Sequence, residues 1–193
     1  MKFDIIYSDP PWKQNARNNP KSRFGKGVPY PTMKTEAICA IPVQDICNDN
    51  CVLFLWVTGP KLKDGIRVIE AWGFRYVTIG FSWVKVYKNK IKKPVHGIGY
   101  YTKHNVELCL LGIRGKMVPI SDHVSQVIIE PISVHSRKPK CARERIVQLF
   151  GGRPRIELFA RQTAFGWYPV GNEITGEDIT VAITRLSKPL VIK

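Results

Sequence analysis

The sequence predicts an α/β fold, in which an open sheet carries helices on its faces. Short apolar, β-branched or aromatic runs recur at 3–8, 52–57, 76–86, 106–113 and 156–159, each bounded by Gly, Pro or Asp. They are nearly continuous in apolar residues, as strands buried on both sides are. Stretches with one-sided apolar spacing lie between them, and strand–helix alternation gives this class.

Taken in order, the run at 3–8 (FDIIYS) ends abruptly at Asp9-Pro10-Pro11-Trp12. Residues 13–33 are polar, basic and rich in Gly and Pro, and a loop of that length in a compact domain is usually functional. After the strand at 52–57, residues 62–72 place Leu62, Ile66, Ile69 and Trp72 near one helical face, with Gly73 as a stop. The strands at 76–86 and 106–113 enclose a second irregular basic segment, 87–103. Pro139 opens a helix over 140–150 that turns Ile146, Val147 and Phe150 inward and stops at Gly151-Gly152. The strand at 156–159 follows. The expected organisation is one domain over 1–175, with basic loops at 13–34 and 87–103, and a tail over 176–193 with weak strand propensity at 179–183.

Thirty Lys and Arg against fifteen Asp and Glu give a formal charge of +15. That surplus points to a polyanionic partner, because basic side chains on phosphates release condensed counterions. Its distribution sharpens the expectation. No acid stands between Asp9 and Glu36, where Lys13, Arg17, Lys21, Arg23, Lys26 and Lys34 lie; none stands between Glu70 and Glu107, where Arg75, Lys85, Lys88, Lys90, Lys92, Lys93 and Lys103 lie. Neither segment has the periodicity of a basic amphipathic helix, so a membrane surface is not the expected partner.

Hydrophobic residues make up 44% of the chain, enough for a packed core. The five cysteines form no Cys-x-x-Cys pair and the four histidines are scattered, which argues for reduced thiols and against a structural metal. No transmembrane run or targeting segment is visible, so a cytoplasmic protein is expected.

The turn Asp9-Pro10-Pro11-Trp12 carries the clearest chemical signal. Proline fixes φ, lacks an N–H, and holds the preceding residue extended. At the carboxyl end of a strand, where α/β proteins bind ligands, the Asp9 carboxylate and Pro10 carbonyl can both accept from one amino group. Two such acceptors draw an aryl amine's lone pair out of conjugation and stabilise growing positive charge on nitrogen. Trp12 offers a stacking face for a planar base. An ordinary stiff turn is the competing reading of these four residues alone.

Their context favours the chemistry. Asp-Pro-Pro-Trp after an apolar strand resembles the catalytic motif of the MT-A family of adenine methyltransferases. Further stretches resemble that family in order and spacing: PYPTM (29–33), IPVQDI (41–46), LFLWVTG (53–59), WGF (72–74), WVK (83–85), HNVELCLLG (104–112), HSRKP (135–139), RIELFAR (155–161) and GWYPVGNE (166–173). The resemblance spans 3–173. It implies a Rossmann-like class I methyltransferase with permuted motif order, built on one open, mostly parallel sheet flanked by helices. It also implies S-adenosylmethionine as cofactor and adenine N6 as target.

Carried onto this sequence, the resemblance gives Asp9 two roles, accepting from the target amino group and lying near the cofactor's methionine amine. Pro10 contributes its carbonyl, Pro11 stiffens the turn, and Trp12 shapes the base pocket. Tyr30 helps enclose the target adenine; apart from the resemblance, the basic segments make Lys13, Arg17 and Lys85, with His104 beside them, the further expected substrate contacts. Glu157, Phe159 and Arg161 hold the cofactor ribose, while Asn172 and Glu173 act beside ribose and adenine. Arg137 and Lys138 read equally as phosphate contacts or as a solvated helix start. Two positions depart from the family. Val106 stands where eukaryotic members carry a lysine for the cofactor carboxylate, leaving Lys103, His104 or Asn105 to compensate. Glu173 stands where Gln is frequent, and a carboxylate accepts but cannot donate.

Asp9 lies eight residues from the start, which looks like bacterial or phage members and makes DNA the favoured substrate. RNA is the alternative, and a non-catalytic nucleic-acid-binding or scaffold subunit is the reading from another class. A homodimer or a partner subunit both stay open.

Overall fold

The computed structural model describes residues 1–13, 31–97, 101–133 and 137–188. Among these residues, eight strands form one sheet: β1 (Phe3–Ser8), β2 (Cys47–Val57), β3 (Arg75–Tyr87), β4 (Lys90–Pro94), β5 (Val106–Arg114), β6 (Val127–Pro131), β7 (Arg155–Leu158) and β8 (Tyr168–Val170). Their order is β4-β3-β5-β2-β1-β7-β8, with β6 also paired to β3. The β2-β1-β7-β8 half is parallel and β6 runs parallel to β3, whereas β5 is antiparallel to both β2 and β3. This is the expected open, mostly parallel sheet, with antiparallel β5 inserted in it and antiparallel β4 at its edge.

Among the described residues, five α-helices accompany it: α1 (Thr35–Cys39), α2 (Leu62–Ala71), α3 (Lys140–Phe150), α4 (Asn172–Thr175) and α5 (Ile179–Ser187). Along β2, Leu53, Leu55 and Val57 pack towards α1, α2 and α5, while Val52, Phe54 and Trp56 pack towards α3. Both faces of the strand are therefore buried, which is why it reads as an unbroken apolar run. A Cβ on Gly65 of α2 would lie 2.6 Å from Val57 Cγ1, so this glycine lets the helix sit close on β2. The Trp72 indole at the end of α2 donates to the Ile38 carbonyl (2.9 Å) and ties α2 to α1.

The carboxyl-terminal segment differs from the expected tail. Residues 179–187 are helical, not extended. Asp178 caps α5 by accepting from the Thr180 and Val181 amides, and Ile179, Ala182, Ile183 and Leu186 are buried in the same core as α1 and α2. Their i, i+3, i+4, i+7 spacing prevails over the β propensity of Ile, Thr and Val. No helix among the described residues is long and apolar enough to cross a membrane.

Topology gathers the chemistry at one edge. The carboxyl ends of β1, β2, β3, β6, β7 and β8 face the same way, and antiparallel β5 starts there. Between β1 and β7 the connections diverge, β1 leading towards β2 on one side and β7 towards β8 on the other. Such a switch point opens a crevice beyond the strand ends. Asp9 follows β1 there, and Phe159 follows β7.

Candidate active site

The turn after β1 is fixed from several directions. The Trp12 amide donates to the Pro10 carbonyl (2.9 Å), and the Met33 amide donates to the Pro11 carbonyl (2.7 Å). The Lys13 amide in turn donates to Met33 O (2.8 Å). Residues 13 and 33 are thus pinned together at the base of the first basic loop. Trp12 is 7% exposed and its indole N–H donates to the Trp56 carbonyl (3.0 Å). The expected stacking face is consequently turned into the core, and Trp12 anchors the turn from beneath. A turn built on two prolines carries no periodicity that could have given the ring's direction.

Beside the turn lies a cavity of about 210 Å³. Asp9, Phe159, Arg161, Asn172 and Glu173 all line it, bringing together five positions expected around one cofactor. Pro31 and Met33, from the returning end of the loop, close one wall, and Asp178 and Ile179 at the start of α5 contribute another. Pro31 and Met33 belong to the PYPTM stretch, whereas Asp178 and Ile179 carry no motif, although Asp178 ahead of an apolar helical stripe is a legible cap.

The wall after β7 and β8 is tightly built. Phe159 adopts a left-handed backbone (φ 59°), costly for a bulky residue and a common mark of binding sites. The Ala160 amide donates to the Val170 carbonyl (2.9 Å). A Cβ on Gly171 would stand 2.3 Å from the Ala160 carbonyl oxygen, so the backbone carrying Asn172 and Glu173 passes where only glycine fits. Arg161 Nε lies 3.5 Å from Glu173 Oε1.

Behind the cavity runs a row of charges. Lys138 Nζ donates to Asp9 Oδ2 (2.6 Å) and lies 3.3 Å from Glu107 Oε2, while the other Glu107 oxygen pairs with Lys85. Lys138 is neither a phosphate contact nor a solvated helix start. Lys85, expected on the substrate, is committed to Glu107 and sits 5.2 Å over the Trp83 ring. Burial, with Glu107 adding to it, holds the Asp9 carboxyl above its ordinary pKa, although Lys138 and Arg161 oppose this. Burial also pushes Glu107 up, but Lys138 and Lys85 more than offset it and hold that carboxyl low.

Glu157 is buried and does not line the cavity. The Arg143 guanidinium donates to both of its oxygens (2.7 and 2.6 Å) and covers the Tyr7 ring at 5.5 Å. Burial pushes the Glu157 carboxyl up and Arg143 only partly compensates. Arg143 was legible in part, since it lies three residues before Ile146 and seven before Phe150 on the inward stripe of α3. Lys13 and His104 are exposed and stand outside the cavity lining, and Val106 is 42% exposed. Arg17, Tyr30 and the His135 of HSRKP lie outside the described residues.

Comparison with known proteins follows the same outline. The MT-A70 family profile matches residues 3–173. The Type II methyltransferase M.MunI of Mycoplasma sp is 33% identical over 198 residues, covering 93% of this chain and 81% of that protein. A putative N(6)-adenosine-methyltransferase MT-A70-like protein of Medicago truncatula is 30% identical, over 91% of this chain and 27% of its own length. The N(6)-adenosine-methyltransferase catalytic subunit METTL3 of Homo sapiens is 27% identical, over 91% and 29% respectively. This chain thus spans little more than a quarter of those plant and human relatives. With the profile matched across the turn after β1 and the cavity residues Pro31, Met33, Phe159, Arg161, Asn172 and Glu173, the chain belongs to the MT-A70 family of N6-adenine methyltransferases.

Proposed function

We propose that this enzyme transfers a methyl group from S-adenosylmethionine to the exocyclic amino group of adenine in DNA. The observation that carries the reading is the rigid turn after β1, whose Asp9 and Pro11 line a cavity that suits that cofactor. Asp9 and Glu173 supply acceptors for an ammonium group and ribose hydroxyls, Asn172 supplies both a donor and an acceptor, and Phe159 supplies an apolar face. When bound, S-adenosylmethionine supplies a methyl group already activated by its sulfonium.

The chain's own residues prepare the acceptor. Asp9 Oδ2 is taken by Lys138, which leaves Oδ1 to accept from one amino hydrogen. Pro10 O already accepts from the Trp12 amide and keeps a second lone pair for the other hydrogen. The amine lone pair is thereby aimed at the methyl carbon. The amine nitrogen would take the methyl group as the methyl–sulfur bond breaks and a neutral thioether leaves, and the nitrogen, now cationic, would release one proton to Asp9 or to water. Positioning and electrostatics carry the rate. In a duplex the base must first leave the stack, at about a few kcal/mol.

DNA is favoured by similarity to the Type II methyltransferase, which is 33% identical to this chain against 27–30% for the plant and human adenosine methyltransferases compared above. RNA is the second reading, supported by the names of those longer relatives. Digestion and nucleoside mass spectrometry after incubation with each nucleic acid tests both. The expected product is N6-methyldeoxyadenosine, and Asp9→Ala should lower its rate by about 10²–10³-fold without changing the melting temperature downward. Methyl found only in the ribonucleoside pool would replace the DNA reading with the RNA one. Binding of cofactor and nucleic acid with no methyl transfer would return the chain to the non-catalytic class.

A further inference from the structure

Lys138 comes from the segment between β6 and α3, far in sequence from the turn it touches. Its ammonium meets carboxylates from two other elements, Asp9 after β1 at 2.6 Å and Glu107 of β5 at 3.3 Å. It also lies 5.7 Å over the Trp56 ring. Glu107 is in turn held by Lys85, over the Trp83 ring. The two indoles meet edge to face at 6.4 Å, and both are tethered, Trp56 N–H to Tyr7 Oη (2.7 Å) and Trp83 N–H to the Glu130 carbonyl (3.0 Å). The result is an alternating row, Asp9–Lys138–Glu107–Lys85, laid on a rigid aromatic floor.

Stability alone explains this row poorly. Taking charges out of water costs about as much as their pairing returns, and apolar residues of similar volume often serve a fold as well. A phosphate contact explains it no better, since the Lys138 side chain is 11% exposed and its ammonium is already engaged. What the row does achieve is to fix one oxygen of Asp9, a residue that lines the cavity.

We propose that Lys138 is a positioning residue for methyl transfer: it locks Asp9 Oδ2, so that Oδ1 meets the target amino group as a charged acceptor in one direction, while Glu107 and Lys85 hold Lys138 in place. The inference rests on the methyltransferase reading above and adds to it a residue that acts through Asp9.

The groups around Asp9 give the inference a pH signature. Lys138 and Arg161 favour its ionised form, and Glu107 opposes it. Cys109, Glu157 and Arg143 also face it, from β5, β7 and α3. The working form of Asp9 is the carboxylate, so activity is full above its pKa and lost as pH falls through it. Removing Lys138 leaves two buried carboxyls facing each other, which drives the Asp9 pKa further up. The acid limb of the rate profile therefore moves to higher pH. Removing the Glu107 charge moves it the opposite way.

The test is single-turnover methyl transfer to an adenine-containing oligonucleotide across pH, with cofactor affinity measured separately by calorimetry. In Lys138→Met the rate near neutrality should fall by about 10²-fold, the acid limb should move up, and cofactor affinity should stay within about twofold of wild type. Adding Glu107→Gln to Lys138→Met should move the limb back down, and Lys138→Arg should keep most of the rate. Should Lys138→Met not fold, Glu107→Gln alone is read instead, and its limb should move below that of wild type. A folded Lys138→Met with an unshifted limb overturns the inference, whatever its rate. So does a fall in cofactor affinity without a limb shift, which would assign Lys138 to the cofactor, and so does an unshifted limb in Glu107→Gln. Wild-type protein that methylates neither DNA nor RNA would instead fail the underlying function, and is distinguished before any variant is compared.

Discussion

Asp9 and Pro10 can act as fixed acceptors only if the turn carrying them stays still, and Trp12 is the side chain that holds it. Its ring is packed among core residues and its N–H donates to the Trp56 carbonyl. Trp12→Phe keeps an apolar ring but loses that bond, at a net cost of about 0.5–1.5 kcal/mol, and leaves some empty volume. A fall in melting temperature of about 2–4 °C per kcal/mol lost is expected. The rate should drop further than stability does, by about 10–100-fold with cofactor affinity kept, because a small misplacement of acceptors is costly. Rates that follow only the folded fraction would remove the anchoring role. At this scale the sequence displayed the proposed acceptors but not their supports. Asp9 and Pro10 follow from the stiffness of the turn itself. Lys138 is one lysine before a proline, and its meaning depends on two acids 129 and 31 positions away, a pairing that only the sheet edge creates.

At the scale of elements, the walls of the cavity depend on how closely β7 and β8 return past each other. Gly171 is the narrowest point, with the Ala160 carbonyl 2.3 Å and the Ala160 amide nitrogen 2.8 Å from where a Cβ would sit. Its φ of 173° is ordinary extended backbone, so the constraint is one of space. Gly171→Ala must push α4, with Asn172 and Glu173, away from Phe159 and Arg161. Overpacking of this kind costs about 1–3 kcal/mol. Part of that should appear as weaker S-adenosylmethionine binding, about tenfold by calorimetry, and unchanged affinity would show that this wall does not hold the cofactor. The long strands and both amphipathic helices were legible because burial writes its period into the sequence. β4, β6 and β8 were not, being three to five residues long and lacking alternation. α5 was misjudged on propensity, although its Asp cap and helical apolar spacing were present.

Over the whole molecule, the +15 charge has an address that the topology supplies. The first acid-free basic segment leaves and re-enters at Lys13 and Met33, which are bonded to each other beside the cavity. The second lies between the carboxyl end of β3 and the amino end of β5, on the same edge of the sheet as Asp9. On the proposed function, both are rooted where a nucleic acid strand would pass to present a base. Within the second, Lys88, Lys93 and Lys103 are exposed, in contrast to Lys85 on Glu107. If these lysines meet phosphates, each contributes about 0.9 to the slope of log affinity against log salt for a duplex. Changing all three to glutamine should therefore flatten the slope by about 2–3 and weaken binding across all sequences alike. Cofactor affinity should not change, because none of the three lines the cavity. Anisotropy of a labelled duplex between roughly 50 and 200 mM salt measures the slope, and a slope unaltered in the triple variant would place the phosphate grip elsewhere on the molecule.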